Sequence, residues 1–189
     1  MSKAMLRKSI LSRRLALPAT EKTVADDAIQ SALLASPEYI VTDAVALYFA
    51  VNNEVSTEKV INHSLSVGKA LFLPAVEDGV MLFRRVTAWG DLVAGRFGIM
   101  QPASGCLAAD PEEIGLIVVP GVGFDLLGQR IGYGKGYYDR ILHRFEGKGK
   151  LTALCYEFQL VDSLAGEQHD VNMDRIITER RIITPALPK

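Results

Sequence analysis

The chain has 189 residues, 49% of them hydrophobic and 23% charged, which places it among ordinary globular domains and outside the disordered and fibrous classes. A chain of this length buries roughly 70% of its unfolded surface, so it needs no disulfide or structural metal to hold a core. Lys plus Arg number 21 against 22 Asp plus Glu, so no global positive field draws in nucleic acid or an anionic membrane, and any polyanionic ligand must be held by local geometry. Cys106 and Cys155 lack any C-x-x-C or Cys/His metal spacing and read as inert thiols in a reducing compartment. No apolar run approaches a membrane span and no secretory h-region opens the chain, so the expectation is a single cytoplasmic domain over residues 1–189. Residues 1–18 are rich in Lys, Arg and Ser and free of acids, which leaves a mitochondrial transit peptide as the alternative to a folded basic helix.

Leu6, Ile10, Leu11, Leu15 and Leu17 recur at nearly helical spacing up to Pro18, predicting an amphipathic first helix whose other face is basic. Thr20 is the candidate N-cap of a second helix carrying Val24, Ala25, Ala28, Ile29, Ala32 and Leu33 and ending near Ser36 and Pro37. The run AVALYFA from Ala44 predicts a buried strand, Ser56 caps a helix that stops at Gly68, and ALFLP from Ala70 predicts a second strand. Strand, helix, strand is a βαβ unit with parallel strands. Val80 to Val86 reads as another strand, and residues 87–115 as loop with short elements. LIVVP from Leu116, a glycine-rich loop over 121–136, a helix with Tyr138, Ile141, Leu142 and Phe145 on one face, and LTALCY from Leu151 make a second βαβ unit. Arg175 to Thr178 and Arg181 to Thr184 are short strands suited to a sheet edge. The expected fold is α/β: a three-layer α/β/α sandwich around a mainly parallel sheet, of Rossmann-like (isomerase/CoA-transferase-like) topology. Ligands in such sheets bind at the C-terminal strand ends, so the loops after Phe49, Leu73 and Val119 are the places for chemistry.

The segment PGVGFDLLGQRIGYGKGYYD, Pro120 to Asp139, sets six glycines between a strand and a helix. Glycines let the backbone approach a ligand with its N–H groups inward, and the helix N-terminus beyond Gly136 favours negative charge, so phosphate is the natural guest. It is not a Walker A loop, because Gly134-Lys135 is followed by Gly136 and the position five before Gly134 is Gln129. A dinucleotide fingerprint fails as well, with Leu126 and Tyr137 where glycine is required.

The run PGVGFDLLGQRIGYGKGYYDRIL resembles the signature of the 5-formyltetrahydrofolate cyclo-ligases, a Pro-Gly-x-x-Phe-Asp turn followed by Arg-x-Gly-x-Gly-x-Gly-Tyr-Tyr-Asp. The resemblance extends to Lys3-Ala-Met-Leu-Arg7, to Tyr48-Phe-Ala-Val-Asn-Asn-Glu54 and, near the end, to Tyr156-Glu-Phe-Gln159, His169-Asp170, Asp174 and Thr178-Glu179. It implies an ATP- and Mg2+-dependent ligase that closes 5-formyltetrahydrofolate to 5,10-methenyltetrahydrofolate. ATP would be contacted by Lys3, Ala4, Met5, Leu6 and Arg7 and by Arg130, Ile131, Gly132, Tyr133, Gly134, Lys135, Gly136, Tyr137 and Tyr138. Phe49, Glu54 and the stretch Tyr133, Gly134, Lys135, Gly136 and Tyr137 would line the folate site. Asp139 and Asp170 would hold Mg2+, and Lys135, Arg130 and Tyr138 would serve catalysis. Gln101 stands where the family more often has Glu, and Tyr133 occupies a position that is basic in some members.

Without the resemblance several residues have plainer readings. Asp139 suits a helix first turn, where an acid gains about 0.3 to 1 kcal/mol from the macrodipole. Asp170 suits a polar turn, Lys3 and Arg7 a solvated basic face, Glu54 an exposed loop and Phe49 the core. Trp89 is a loop anchor or a stacking platform. A phosphosugar isomerase-like enzyme with no ATP requirement and a non-catalytic folate- or nucleotide-binding relative are the other functional readings. The expected partner is a small-molecule folate, with no nucleic acid and no membrane, acting on a monomer or a weak homodimer.

Overall fold

The computed structural model describes residues 2–95, 99–110, 112–145, 150–164 and 171–185. Three helices open the chain: α1 (Lys3–Leu15), α2 (Ala19–Leu34) and α3 (Pro37–Val41). Strand β1 (Ala44–Ala46), helix α4 (Glu58–Ser66) and strand β2 (Ala70–Glu77) form the first βαβ unit, and β3 (Val80–Val86) follows as a hairpin. The second unit is β6 (Leu116–Val119), α5 (Tyr137–Leu142) and β9 (Lys150–Leu154), and the chain continues to β11 (Arg175–Ile177) and β12 (Ile182–Ile183). One sheet runs in the order β12-β11-β9-β6-β1-β2-β3. Its five inner strands are mutually parallel, and only β3 and β12 at the edges run antiparallel to their neighbours.

The near-continuous apolar runs of the inner strands follow from burial on both faces. Val45, Leu71, Leu73, Leu116, Val118, Leu154 and Ile177 face Ile29 and Leu33 of α2 and Val60 and Ile61 of α4. The alternate residues Ala46, Phe72, Ile117, Val119, Ala153 and Ile176 face Ile141 and Leu142 of α5. The three-layer α/β/α sandwich expected from the sequence is present. No helix among the described residues is long and apolar enough to cross a membrane.

Local chemistry shifts several boundaries. Thr20 does not cap α2. Pro18 does, with φ −59° and ψ 141°, because its ring fixes the entry angle, and its carbonyl accepts from Lys22 N at 2.9 Å. Thr57, not Ser56, is the N-cap of α4, and its hydroxyl donates to Tyr48 O at 2.6 Å. The ladder of β1 stops at Ala46, short of the run to Ala50. There is no loop after Leu73: β2 runs on to a tight turn at Asp78-Gly79, both with positive φ, which returns the chain as β3. Residues 87–115 include a hairpin of β4 (Leu92–Ala94) and β5 (Met100–Pro102).

The glycine-rich segment is not all loop. It contains an antiparallel pair, β7 (Gly123–Asp125) and β8 (Arg130–Ile131), extended by β10 (Leu160–Val161) into a small separate sheet. Asp125 folds the turn, its Oδ1 accepting from Leu127 N at 3.0 Å and Gln129 N at 2.9 Å, while Gly128 takes φ 86°. Ile10 of α1 packs on Val122, Ile131 and Leu164 of this unit, so α1 is carried by the small sheet.

Candidate active site

The C-terminal ends of β1 and β6 and the second half of the glycine segment converge beneath α1. Along that helix Arg7, Ile10 and Arg14 form one inward stripe at helical spacing, and Lys3, one turn before Arg7, is half-buried. The basic face is therefore not simply solvated. Arg7 Nε donates to Gly132 O at 2.8 Å, and a methyl group added at Gly134 would lie 3.7 Å from the Arg7 guanidinium carbon. Leu6 packs into the α1 interface, whereas Ala4 and Met5 are exposed. Leu15, expected on the apolar face, is exposed too.

The glycine loop itself needs its glycines at two places. Gly134 has φ 92° and Gly136, the N-cap of α5, has φ 66°, values that L side chains adopt at a cost. Between them Lys135 is exposed. Arg130 is the opposite case: its side chain is 6% exposed, it pairs with Asp139 Oδ1, its Nη1 donates to Pro120 O at 3.4 Å, and its guanidinium carbon lies 5.9 Å from the Tyr138 ring centre. Ile131 is buried in the α1 interface, leaving its backbone as the only part that can face a ligand. Tyr137 is half-buried under the Arg140 guanidinium. Tyr138 packs against both cores, and burial, with the Glu54 charge second, pushes its phenol well above the usual range. At neutral pH it is a donor of a hydrogen bond and not a base.

Glu54 is 4% exposed, against the exposed loop acid that its position alone suggested. Its Oε1 accepts from the Tyr133 hydroxyl at 2.9 Å and its Oε2 from Val51 N at 3.0 Å. Burial raises its pKa, while the Val51 amide, Arg14 and Tyr133 act in the other direction. The Tyr133 phenol is pushed up to about 12 by burial and then by the Glu54 charge. Phe49, half-buried, meets Trp89 edge to face at 6.4 Å, and Trp89 Nε1 donates to Asn62 Oδ1 at 2.8 Å. Trp89 is thus anchored, with 40% of its surface still exposed. Gln101 lies against Gly95, with its Oε1 3.5 Å from Val76 N.

One residue escaped the sequence reading altogether. Arg14 is 0% exposed and donates from Nε to Asn52 O at 2.9 Å, from Nη1 to Gly121 O at 3.2 Å and from Nη2 to the Tyr133 hydroxyl. The available signal was its place seven residues beyond Arg7, on the same helix face. For a divalent cation, Asp139 offers a carboxylate at the first turn of α5, and Asp170 lies outside the described residues. No group of three or more His, Cys, Asp or Glu able to hold a metal occurs among the described residues.

The profile of the 5-formyltetrahydrofolate cyclo-ligase family matches residues 1–179. The chain belongs to that family. A 5-formyltetrahydrofolate cyclo-ligase of Mycolicibacterium smegmatis is 29% identical over 95% of each chain. The solved 5,10-methenyltetrahydrofolate synthetase of Aquifex aeolicus is 36% identical, with a TM-score of 0.90 over 100% of this chain and 95% of its own. That of Mycoplasma pneumoniae is 29% identical, with a TM-score of 0.78 over 95% of this chain and 99% of its own. These likenesses cover both the sheet and the small α1-bearing unit, so the cyclo-ligase fold extends to every element that meets at the site.

Proposed function

We propose that the protein converts 5-formyltetrahydrofolate to 5,10-methenyltetrahydrofolate in the cytoplasm, as a monomer, consuming ATP with Mg2+ and releasing ADP and phosphate. The observation that supports this most is the closure of α1 on the glycine loop. It sets Arg7 against Gly132 and Gly134, and the Tyr133 hydroxyl between those glycines donates to the buried Glu54 in the loop after β1. Cations and the backbone N–H groups of the glycine loop then stand on one side for phosphate, and a carboxylate stands on the other for the N–H groups of a pterin.

A formamide is a weak electrophile. Transfer of the γ-phosphoryl group to the formyl oxygen turns that oxygen into a leaving group. The folate N10 then attacks the formyl carbon, its proton departs, the C–O bond breaks, and the former formyl oxygen leaves in phosphate. The protein needs no nucleophile for this, only orientation and charge neutralisation. Lys135 and Arg130 supply positive charge and the Tyr138 hydroxyl a hydrogen bond. Mg2+ is typically held by one or two carboxylates with substrate phosphates completing the shell, so Asp139 fits as a ligand, and Asp170 is the proposed second. Bound there, the ion would offset phosphate charge.

The test is to incubate the purified protein with 5-formyltetrahydrofolate and Mg-ATP and to follow the near-ultraviolet band of the methenyl product. A flat trace from correctly folded protein sinks the reading, and product formed without ATP would favour an isomerase-like chemistry. Changing Arg7 to Ala is expected to raise KM for ATP by roughly tenfold, as a charge-assisted contact to phosphate is worth about 1.5 kcal/mol or more. KM for folate should stay in place. Equal effects on the two substrates would make Arg7 a strut of the loop and not a nucleotide contact.

A further inference from the structure

We propose that Arg14 is a positioning residue of the folate site, which acts through the Tyr133 hydroxyl to hold the Glu54 carboxylate toward the N–H donors of the pterin. This rests on the cyclo-ligase reading, in which Glu54 receives folate. The Arg14 guanidinium donates to three segments: Asn52 in the loop after β1, Gly121 in the loop after β6, and Tyr133 in the glycine loop. Among the described residues all these acceptors are neutral oxygens. A fully buried cation is costly unless a counter-charge answers it. Here the answering charge is Glu54, one hydroxyl away: Tyr133 accepts from Arg14 and donates to Glu54 Oε1 at 2.9 Å. Val51 N holds the other oxygen at 3.0 Å, so the plane of the carboxylate is fixed from both ends.

The arrangement is more than a packing strut, because its members lie on different functional segments. Tyr133 belongs to the glycine loop and is 37% exposed, while Asn52 and Asn53, with φ 49° and 56°, form the turn that delivers Glu54. The Asn53 amide donates back to Arg14 O at 3.3 Å. A pterin presents adjacent ring and amino N–H groups, a pair of donors that a fixed carboxylate accepts in bidentate fashion. Glycine-loop closure and folate recognition then share one hydrogen-bond chain.

The test compares wild type, Tyr133→Phe, Arg14→Lys and the double variant, using 5-formyltetrahydrofolate titration without ATP, KM for ATP, the pH profile of kcat/KM for folate, and thermal melting. Each single change is expected to weaken folate binding by roughly ten- to a hundredfold and ATP binding far less, since the Tyr133 hydroxyl is engaged by Arg14 and Glu54. The double variant should bind folate no worse than the weaker single one, since one chain is broken either way. In Tyr133→Phe the acid limb of kcat/KM should move to higher pH, because Glu54 loses a donor that favours its charged form. The other groups around Glu54 remain constant in that comparison: Arg14 of α1, Tyr48 after β1, Tyr138 of α5, and Tyr156 with its partner Asp26. Folate affinity intact in Tyr133→Phe, multiplying effects in the double variant, equal loss of ATP affinity, or an unmoved acid limb would each overturn the proposal. If Arg14→Lys does not fold, Tyr133→Phe decides alone through folate affinity and the pH limb. A wild type that binds folate but forms no methenyl product refutes the cyclo-ligase reading, and the titrations still decide the clamp.

Discussion

Lys135→Ala is expected to lower kcat by roughly a hundred- to a thousandfold while changing KM for either substrate little, the size seen when one preorganised transition-state donor is removed. Lys135 is exposed between Gly134 and Gly136, whose positive φ angles give the loop a shape that few other residues adopt. Contacts of an exposed lysine contribute about 0 to 1 kcal/mol, so the variant should melt close to wild type. Its charge can follow the phosphoryl group from ATP to the formyl oxygen, so its contact strengthens as the transition state forms, and that is what lowers a barrier. Steady-state kinetics with both substrates decide the point. A raised KM for ATP with kcat retained would reduce Lys135 to a ground-state phosphate contact. Substrate carrying heavy oxygen in the formyl group should deliver that label to inorganic phosphate, and unlabelled phosphate formed alongside methenyl product would refute direct activation of the formamide.

Asp139→Asn should produce two separable losses. The Mg2+ concentration for half-maximal rate is expected to rise by at least roughly tenfold, since the amide keeps the size of the group but not the charge that a hard cation requires. Stability should also fall, because the nearly buried Arg130 pairs with this carboxylate. With Asp139 44% exposed, solvent screens the pair, and a loss of about 1 kcal/mol, or about 2 to 4 °C in melting temperature, is expected. Melting followed with and without Mg2+, beside rates across a Mg2+ series, distinguishes the roles. A lower melting temperature with an unaltered Mg2+ dependence would make Asp139 the anchor of Arg130 alone.

The strand–helix alternation was legible because each inner strand is buried on both faces and so shows as a short apolar run flanked by turn residues. The glycine loop was legible because no ordinary linker sets Arg130, Lys135 and three tyrosines among so many glycines. What escaped detection depends on contacts between distant segments. Arg14 looks like one more charge at the end of an amphipathic helix, and nothing local tells that three loops supply its acceptors. The β7–β8 pair was hidden because strands of three and two residues have no periodicity and are made by the turn at Asp125. Pairing with β3 carried β2 past Leu73, and that pairing was decided at Asp78-Gly79, beyond the apolar run. Glu54 was placed correctly after β1, but its burial comes from Arg14 and Tyr133, both far along the chain.

The seating of α1 on the small sheet has a consequence for how the protein is made. The bond from Arg7 to Gly132 spans 125 positions, and the Arg14 bonds to Gly121 and Tyr133 span 107 and 119. The first βαβ unit holds short-range contacts and is able to assemble while the rest of the chain is still being synthesised. Helix α1 emerges first, and Asn52 and Asn53 can reach its C-terminal turn early. Its apolar face, however, has no surface to dock on until β7, β8 and β10 exist, so its loop closure comes late and slowly. During translation its apolar residues Leu6, Ile10 and Leu11 stay uncovered, and the nucleotide and folate sides of the pocket come together only after residue 161 has left the ribosome.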